Sequence, residues 1–277
     1  MIERRLAPRG PYSLAFSARL SSDATRTFRD GVFTAVVGDE LVRAWQSPDG
    51  TITVRARTDD GVERLRWTLA LDDDHSEFLR AVRQDPMLGS ASRALRGLRP
   101  VRLTTVAQSL LRAFCGQLIE AKRARRMEQS IIRTLCTPVA ENLHAAPTTR
   151  DLAALAPSQL RALGLHTRRA AALVRLCRTI ELERLRDAPT PVVAARLGRE
   201  RGLGPWSIGV VCLEGLGRYD HGLVGDLGLV KLLRELRGRE VEGWETAELL
   251  APYGEFAGLA SVYMLAGYSR GMVPLAA

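Results

Sequence analysis

The sequence predicts an α+β protein in which a small antiparallel sheet with a flanking helix precedes an all-helical core. Short alternating runs broken by turn residues predict strands between Tyr12 and Leu71. Helical spacing of apolar residues begins near Val101 and continues along the rest of the chain. At 277 residues the chain can bury a sizeable core. We expect a β-rich domain over residues 1–90 and a helical domain over residues 91–277, with the boundary near residues 85–102.

Four runs in the N-terminal part have strand-like alternation and composition. They are residues 13–17, 33–37, 51–55 and 64–69. Residues 47–50 and 58–61 have the composition of hairpin turns between them. The acidic residues 72–74 precede a helical run through Phe78, where their charges favour the helix N-terminus; a metal-binding role for them is the weaker interpretation.

Helical periodicity predicts nine helices in the remainder of the chain. They are residues 104–115, 119–135, 149–155, 157–163, 167–184, 191–200, 205–216, 227–236 and 253–266. Gly164 and Gly217 follow helical runs and are typical C-terminal stops.

The segment over residues 192–233 carries the most specific pattern. A helical run is followed by the turn Gly202-Leu203-Gly204, and Pro205 then stands at the first position of a second helix, where proline is tolerated. This arrangement predicts a helix-hairpin-helix motif over about residues 192–216. The N-terminus of the second helix offers free N–H groups and a positive dipole end, which suit a phosphate. An ordinary tight connection between two core helices is the alternative.

Two further features give this segment a context. Trp206 lies just inside the second helix, and Asp226 follows twenty residues later. Upstream, the run over residues 113–119 ends a predicted helix with Gly116-Gln117-Leu118. Together these motifs resemble the helix-hairpin-helix, Gly/Pro...Asp superfamily of DNA base-excision glycosylases, and in detail its 3-methyladenine DNA glycosylase II branch. The resemblance is dense over residues 98–270 and weaker in the N-terminal part.

The resemblance implies a role for each motif. Asp226 matches the catalytic carboxylate, and Trp206 matches the pocket tryptophan, whose π face suits a positively charged alkylated base. One turn later, where such relatives place a second aromatic residue, stands Val210, and the late helix offers only Tyr263 as a nearby aromatic side chain. Packing alone is the alternative for Trp206, and helix capping is the alternative for Asp226, with Asp220 as a second choice of carboxylate.

The resemblance also implies how the chain binds DNA. The hairpin residues Gly202, Leu203 and Gly204 match the phosphate clamp, whose carbonyls in the family often hold a monovalent cation. Gln117 and Leu118 match the plug that enters the vacated base stack. Without the family, Leu118 would be interpreted as a core leucine. The resemblance allows a Na⁺ or K⁺ ion at the hairpin and implies no other metal.

The distribution of charge favours a polyanionic partner. The formal net charge is +9, and residues 101–200 carry 17 Arg and Lys against 8 Asp and Glu, so the whole excess belongs to the middle of the chain. A basic surface on one segment suits nucleic acid, and solvated helix faces in an arginine-rich proteome are the alternative.

Cysteine, histidine and lysine usage limits the chemistry. The four cysteines are tens of residues apart, and no His-x-x-x-His pair occurs, so we expect neither an iron-sulfur cluster nor a metal site on these residues. Only two lysines exist, Lys122 and Lys231. Relatives that cleave the strand place a lysine in the second helix of the motif where this chain has Trp206, so we expect no lyase activity.

The sequence thus predicts a monofunctional DNA glycosylase that removes alkylated purines from double-stranded DNA. A glycosylase for an oxidised or deaminated base, or a non-catalytic helix-hairpin-helix DNA-binding protein, are the alternatives. Membrane-spanning runs and a signal core are not evident in the sequence. We expect a cytoplasmic, nucleoid-associated monomer.

Overall fold

The computed structural model describes residues 1–274 and confirms the α+β prediction. A five-stranded antiparallel sheet lies in the N-terminal part, with strand order β1-β5-β4-β3-β2. The strands are β1 Ile2–Leu6, β2 Arg26–Arg29, β3 Val32–Val37, β4 Glu40–Gln46 and β5 Ile52–Ala56. Strands β2 to β5 form a meander, and β1 pairs with β5 from Ile2 opposite Ala56 to Leu6 opposite Ile52. The predicted strands over residues 33–37 and 51–55 are therefore confirmed.

Two of the predicted strands are helices. Residues 13–17 overlap α1 (Leu14–Ala18), whose N-cap Ser13 accepts a hydrogen bond from the Phe16 N–H at 3.3 Å. Residues 64–69 lie largely in α2 (Asp59–Thr68), and the predicted turn over residues 58–61 is the beginning of that helix. Thr58 caps α2 by accepting from the Gly61 N–H at 3.0 Å, and two aspartates in the first turn favour the helix dipole. Local capping therefore outweighs the β propensity of the run that follows.

The helical run predicted through Phe78 is confirmed as α3, and the remainder of the chain contains short helices joined by tight turns. Its helices are α3 Ser76–Ala81, α4 Gly89–Ala94, α5 Val106–Gly116, α6 Ala121–Leu135, α7 Thr149–Ala153, α8 Pro157–Ala162, α9 Thr167–Thr179, α10 Thr190–Gly198, α11 Pro205–Val210, α12 Leu227–Arg237, α13 Thr246–Leu250 and α14 Ala257–Tyr268. A small hairpin of β6 (Pro138–Ala140) and β7 (Leu143–His144) interrupts the helices, which the periodicity did not predict.

Three predicted helices differ from the observed ones in ways that concern the backbone. The run over residues 167–184 splits into α9 and a 3₁₀ segment, Leu182–Asp187. The helix from Pro205 continues as a π-helical turn over Val211–Leu216, which ends at Gly217 with φ +66°. The last helix begins at Ala257 rather than at residue 253, because Gly254 has the non-helical angles φ +48° and ψ −120°.

The apolar side chains form two cores. One fills the sheet domain between α1, α2 and the sheet, and includes Val101. The other fills the helical domain and also takes in Ala24 and the apolar residues of α3 and α4, such as Phe78. The segment that precedes Val101 thus packs largely with the helices.

The C-terminal apolar run Gly243–Tyr268 is long and apolar enough to span a membrane by length and composition alone, which the sequence analysis missed. The structure divides this run into α13, α14 and two 3₁₀ segments, Gly243–Glu245 and Ala251–Phe256. The non-helical Gly254 lies within the second 3₁₀ segment, between α13 and α14. Within α14, Leu259, Tyr263 and Met264 are buried in the helical core. The run therefore has the contacts of a core helix pair in this fold.

Candidate functional site

A cavity of about 1350 Å³ brings the sequence motifs together. It lies between the C-terminal end of α5, the turn before α11, the helix from Pro205 and the N-terminus of α12. Of the predicted site residues, Gln117, Leu118, Gly202, Leu203, Gly204, Trp206, Val210 and Asp226 all line it. Segments separated by up to about a hundred residues in the chain are thus placed around one opening.

The plug residues leave α5 in a strained conformation. Helix α5 ends at Gly116, Gln117 is extended, and Leu118 has φ +55°, in the left-handed region that non-glycine residues rarely adopt. The Leu118 side chain is nevertheless 86% exposed. An apolar side chain held outward at the cost of backbone strain is unlike a core leucine, so the structure excludes that alternative.

The hairpin is tied to the plug by a side-chain amide. Gly202 has φ +98°, which favours glycine, and its carbonyl accepts a hydrogen bond from the Gln117 amide. The same amide donates to the Ser207 hydroxyl at 3.0 Å. Gln117 therefore fixes the turn and the first turn of α11 relative to Leu118.

Trp206 and Asp226 form a hydrogen-bonded pair inside the cavity. The indole Nε1–H donates to Asp226 Oδ2 at 2.9 Å, while Asp226 Oδ1 accepts from the Gly228 N–H at 2.8 Å as the N-cap of α12. A Cβ on Gly116 would stand 2.5 Å from the tip of the indole ring, so the glycine makes room for Trp206. Asp226 therefore caps its helix and also faces the cavity with a side chain held at both oxygens.

Two residues that the sequence offered for the site, Tyr263 and Asp220, lie outside the large cavity. Tyr263 does not line the cavity: it is fully buried in α14, and its hydroxyl donates toward the Leu98 carbonyl at 3.1 Å. The prediction of a pocket role for Tyr263 is corrected on this point, because α14 directs this side chain into the core beside Phe78. Asp220 accepts from the Thr190 hydroxyl at 3.0 Å and lines a different, smaller cavity.

Five charged side chains form a cluster at the buried side of the cavity, which we call the Arg112 cluster (Asp23, Arg26, Arg112, Glu128, Glu214). Arg112 Nε lies 3.0 Å from Glu128 Oε2, and Nη2 lies 2.6 Å from Asp23 Oδ2. Arg112 Nη1 lies 2.5 Å from Glu214 Oε2, and Arg26 binds Asp23 from the other side at 3.2 Å. Three of its members, Arg112, Glu128 and Glu214, line the cavity.

The cluster combines burial with unequal numbers of opposite charges. Burial raises the pKa of the Glu128 carboxyl, with Arg112 opposing this effect and the other carboxylates adding to it. Burial also acts to raise the pKa of Asp23, but the Arg26 and Arg112 guanidinium groups lower it by more. The side-chain exposure falls from 28% for Glu214 to 2% for Glu128 and 1% for Asp23, so Glu214 is the carboxylate that reaches the cavity most openly.

Sequence reasoning missed several residues at the edge of the cavity. Leu227 and Trp244 line it with side chains 52% and 66% exposed, and exposed Leu118 lies on the same edge. Lys231, which had no motif match, also lines the cavity. The arginines among the lining residues are Arg112, Arg125, Arg168, Arg169 and Arg201. An edge that combines exposed apolar residues with cations is typical of a binding surface for a polyanion with apolar parts.

The cysteines and histidines form no metal centre in the part of the chain that the structure describes. Cys115, Cys177 and Cys212 are buried, and no group of three or more His, Cys, Asp or Glu side chains within residues 1–274 is arranged to hold a metal ion. The hairpin carbonyls could hold a monovalent cation, but the Gly202 carbonyl already accepts the Gln117 amide.

Comparisons with known sequences find distant relatives. No family model matches the chain. The chain is 22% identical over 205 residues to a "DNA-3-methyladenine glycosylase" of Bacillus subtilis, a match that covers 70% of this chain and 67% of the relative. It is 26% identical over 247 residues to a "Probable bifunctional transcriptional activator/DNA repair enzyme AlkA" of Mycobacterium tuberculosis, covering 82% of this chain. That match covers 49% of the mycobacterial protein, about half its length.

Solved structures match over nearly the whole chain. A 3-methyladenine DNA glycosylase from Archaeoglobus fulgidus superposes with a TM-score of 0.81 and 20% identity, covering 98% of this chain and 99% of its own. An 8-oxoguanine glycosylase/lyase from Clostridium acetobutylicum, in complex with double-stranded DNA, gives 0.79 and 14% identity with the same coverage. The chain therefore has the fold of the helix-hairpin-helix DNA glycosylases and resembles, in sequence, proteins named as their 3-methyladenine branch.

Proposed function

We propose that the protein is a monofunctional DNA glycosylase, which hydrolyses the N-glycosidic bond of alkylated purines in double-stranded DNA. The observation that carries this proposal is the pairing of Asp226 with Trp206 inside a cavity that has the exposed Leu118 at its edge. A carboxylate, a stacking surface and a wedge are the three parts needed to act on a base that must first leave the helix. Their presence around one opening favours an enzyme over a protein that only binds DNA.

Each part has a physical task in this proposal. Leu118 enters the stack where the base was, and its left-handed backbone conformation directs the side chain outward for this role. The turn at Gly202 to Gly204 and the N-terminus of α11 bind the phosphate backbone beside the extruded nucleotide. Because Gln117 joins turn and plug, phosphate binding and wedge insertion occur in one fixed geometry. A Na⁺ or K⁺ ion on the turn carbonyls requires the Gln117 amide to release the Gly202 carbonyl.

The chemical step is assigned to Asp226. As the bond between sugar and base breaks, the bonding electrons leave with the base and positive charge develops on the sugar. The Asp226 carboxylate, held by the Trp206 N–H and by the Gly228 N–H, stabilises that charge and activates the water that completes hydrolysis. Trp206 is in this scheme both a stacking surface for the base and a positioning residue for the carboxylate.

A second candidate function is removal of an oxidised base such as 8-oxoguanine. A specific observation favours it: the fold superposes on the Clostridium acetobutylicum 8-oxoguanine glycosylase/lyase with a TM-score of 0.79. The Arg112 cluster adds charged groups to the cavity, and Val210 gives it less aromatic surface than a second aromatic residue would. Release of bases from duplexes that carry 3-methyladenine, 7-methylguanine or 8-oxoguanine separates the candidates. Release of 8-oxoguanine alone would reject the alkylated-purine assignment.

The absence of lyase activity is also a proposal, and Lys231 makes it worth testing. A strand-cleaving glycosylase forms a covalent Schiff base through an amine, and Lys231 lines the cavity on the exposed side of α12. We expect its primary role to be an electrostatic contact with DNA. Borohydride treatment on lesion DNA should trap no covalent adduct. An adduct that disappears in Lys231→Ala but persists in Lys122→Ala would show that the enzyme is bifunctional.

DNA binding should be dominated by phosphate contacts. The cavity edge carries several arginines, and the net positive excess lies within residues 101–200. The logarithm of the affinity should fall linearly with the logarithm of the salt concentration, with a slope of roughly −0.9 per neutralised phosphate. A salt-independent affinity measured on duplex DNA would contradict this mode of binding.

A further inference from the structure

We propose that Glu214 is a specificity-determining residue that binds the positively charged ring of the alkylated base. This inference rests on the proposed function and names the group that selects the substrate. The Arg112 cluster contains three carboxyl groups, Asp23, Glu128 and Glu214, against two guanidinium groups, Arg26 and Arg112. A carboxylate of this cluster that faces the cavity can pair directly with a cationic base, whereas a neutral base offers it no such charge.

Glu214 is the member of the cluster that can make this contact. Asp23 uses both oxygens, with Oδ1 accepting from Thr25 and Oδ2 from the two arginines, and its side chain is buried. Glu128 is held by Arg112 in a bidentate arrangement and is almost fully buried. Glu214 meets Arg112 through Oε2 and keeps 28% of its side chain exposed on the cavity wall.

The stacking surface and the cluster are both placed by α5. The ring of Trp206 packs against Gly116, and Arg112 lies four residues earlier on the same helix. Four residues of α-helix rise about 6 Å, so the backbone positions of Gly116 and Arg112 are about one helical turn apart along α5. Trp206, Val210 and Glu214 also line the cavity in succession from one helix. In the proposed complex, a purine stacked on Trp206 has one edge facing Glu214.

The π-helical turn contributes to this placement. Val211–Leu216 departs from α-helical hydrogen bonding immediately after α11, and Gly215 within it could not carry a Cβ, which would lie 2.2 Å from Ser109 Oγ. The absence of a side chain at Gly215 lets this turn approach α5 closely, and Glu214 in the same turn contacts Arg112 of α5. Inserted residues of this kind often occur at functional sites.

The movement of charge during the reaction determines whether Glu214 affects substrate binding or the rate of the chemical step. When the glycosidic bond breaks, both bonding electrons go to the departing base, which becomes neutral, while positive charge develops on the sugar near Asp226. The attraction of Glu214 for the base is therefore strongest in the bound substrate and weaker in the transition state. Losing it should weaken binding of the lesion without slowing the chemical step at saturation.

The test uses Glu214→Gln, which keeps the shape of the side chain and an oxygen that accepts from Arg112. Single-turnover release of 7-methylguanine is measured over a range of enzyme concentrations, and affinity is measured for a duplex with an uncleavable abasic analogue. We expect the half-saturating enzyme concentration to rise about tenfold or more, from loss of one unscreened charge contact. The saturating rate should be unchanged or higher, and affinity for the abasic duplex, which has no base, should change by less than about twofold.

Asp23→Asn is the matched control, since it removes the same charge from the same cluster at a residue that does not line the cavity. It should alter thermal stability but leave the half-saturating concentration as in the parent protein. Three outcomes would overturn the direct contact while leaving the proposed excision activity intact. The half-saturating concentration could be unchanged in Glu214→Gln, the affinity of that variant for the abasic duplex could fall by the same factor, or Asp23→Asn could raise the half-saturating concentration equally. A parent protein that releases neither methylated base would reject the proposed function and the inference with it.

Discussion

Two cavities at opposite ends of the helix that begins at Pro205 contain similar chemistry in different settings. The large cavity holds Asp226 and Trp206, and the smaller one, of about 460 Å³, is lined by Asp73, His75, Tyr219 and Asp220 among others. Each thus combines aromatic rings with carboxylates. By residue composition alone, both cavities would be candidate active sites.

The residues at the edges of the two cavities distinguish the large cavity from the small one. In the small cavity two of the carboxylates have side-chain partners: Arg102 and the Tyr219 hydroxyl both bind Asp73, and Thr190 binds Asp220. The large cavity is bordered by exposed apolar side chains and arginines, and its central carboxylate faces open space. Exposed apolar residues at the edge, rather than the presence of carboxylates and aromatic rings, thus distinguish the large cavity as the candidate binding site.

The largest expected effect comes from comparing the two carboxylates directly. Asp226→Asn should keep the fold and DNA affinity, because asparagine caps a helix about as well as aspartate. Loss of the charge that faces the sugar should raise the barrier by at least about 3 kcal/mol, a rate loss of about a hundredfold or more. Asp220→Asn should excise bases like the parent. Equal single-turnover rates for the two variants would reduce Asp226 to a helix cap.

His75, which lines the small cavity, should affect the pH dependence of stability rather than the activity. Burial lowers the pKa of His75 from 6.5 to about 4, with neighbouring arginines adding to this effect. The unfolded chain therefore binds more protons between these values, so stability is full above pH 6.5 and falls as the pH drops toward 4. The loss attributable to His75 approaches about 3 kcal/mol at the acid end. Chemical denaturation of His75→Phe across this range should show a flatter profile; an unchanged slope would assign the acid sensitivity to other groups.

Glycines near the two cavities should respond differently to a methyl group. Gly204 has an ordinary φ of −88°, and a Cβ there would meet no protein atom within 4 Å. Gly204→Ala should therefore melt like the parent but bind duplex DNA about tenfold more weakly, about 1.4 kcal/mol, if phosphates approach this backbone. Gly217→Ala should mainly destabilise, because its φ is +66° and a Cβ would collide with Arg102. Intact DNA affinity in Gly204→Ala would remove the turn from the interface.

Truncating Trp244, at the edge of the large cavity, should give the smallest of these effects. Its side chain is exposed on the edge of the large cavity, so truncation costs little packing. Trp244→Ala should leave the melting temperature within a degree or two of the parent's, and weaken binding of the abasic duplex about fivefold, from a lost stacking contact of about 1 kcal/mol. Tyr268→Ala, a change at a half-buried aromatic that does not line the cavity, serves as the control. Equal affinities for the two variants would assign Trp244 no contact with DNA.

Much of the architecture could be predicted from the sequence because the decisive signals are local. The turn at Gly202 to Gly204, Pro205 at the first helical position and Asp226 before α12 each encode backbone geometry through their own conformational limits. The two strands that proved to be helices had local signals as well, in the caps Ser13 and Thr58. Their alternating pattern favours strands, but the caps are the stronger determinant of local structure here.

The remaining features depend on contacts between distant parts of the chain. Nothing near Arg112 indicates that Asp23 and Glu214 will surround it, since these residues are 89 and 102 positions away. The sequence offers Tyr263 as the aromatic residue of its helix for the pocket, but packing of α14 against the core turns this side chain toward Phe78. Trp244 and Lys231 reach the cavity through the return of the chain after α12, which no motif encodes.

The Arg112 cluster has a consequence for how this protein could be divided or recombined. Every motif that predicts the function lies beyond residue 91, so a fragment of residues 91–277 would retain the whole signature. Such a fragment would lack Asp23 and Arg26 and leave Arg112 with one partner fewer in a buried setting, where unmatched charges are costly. The N-terminal part thus supports the large cavity from behind rather than lining it, so exchanging N-terminal domains between relatives should change thermal stability more than base preference.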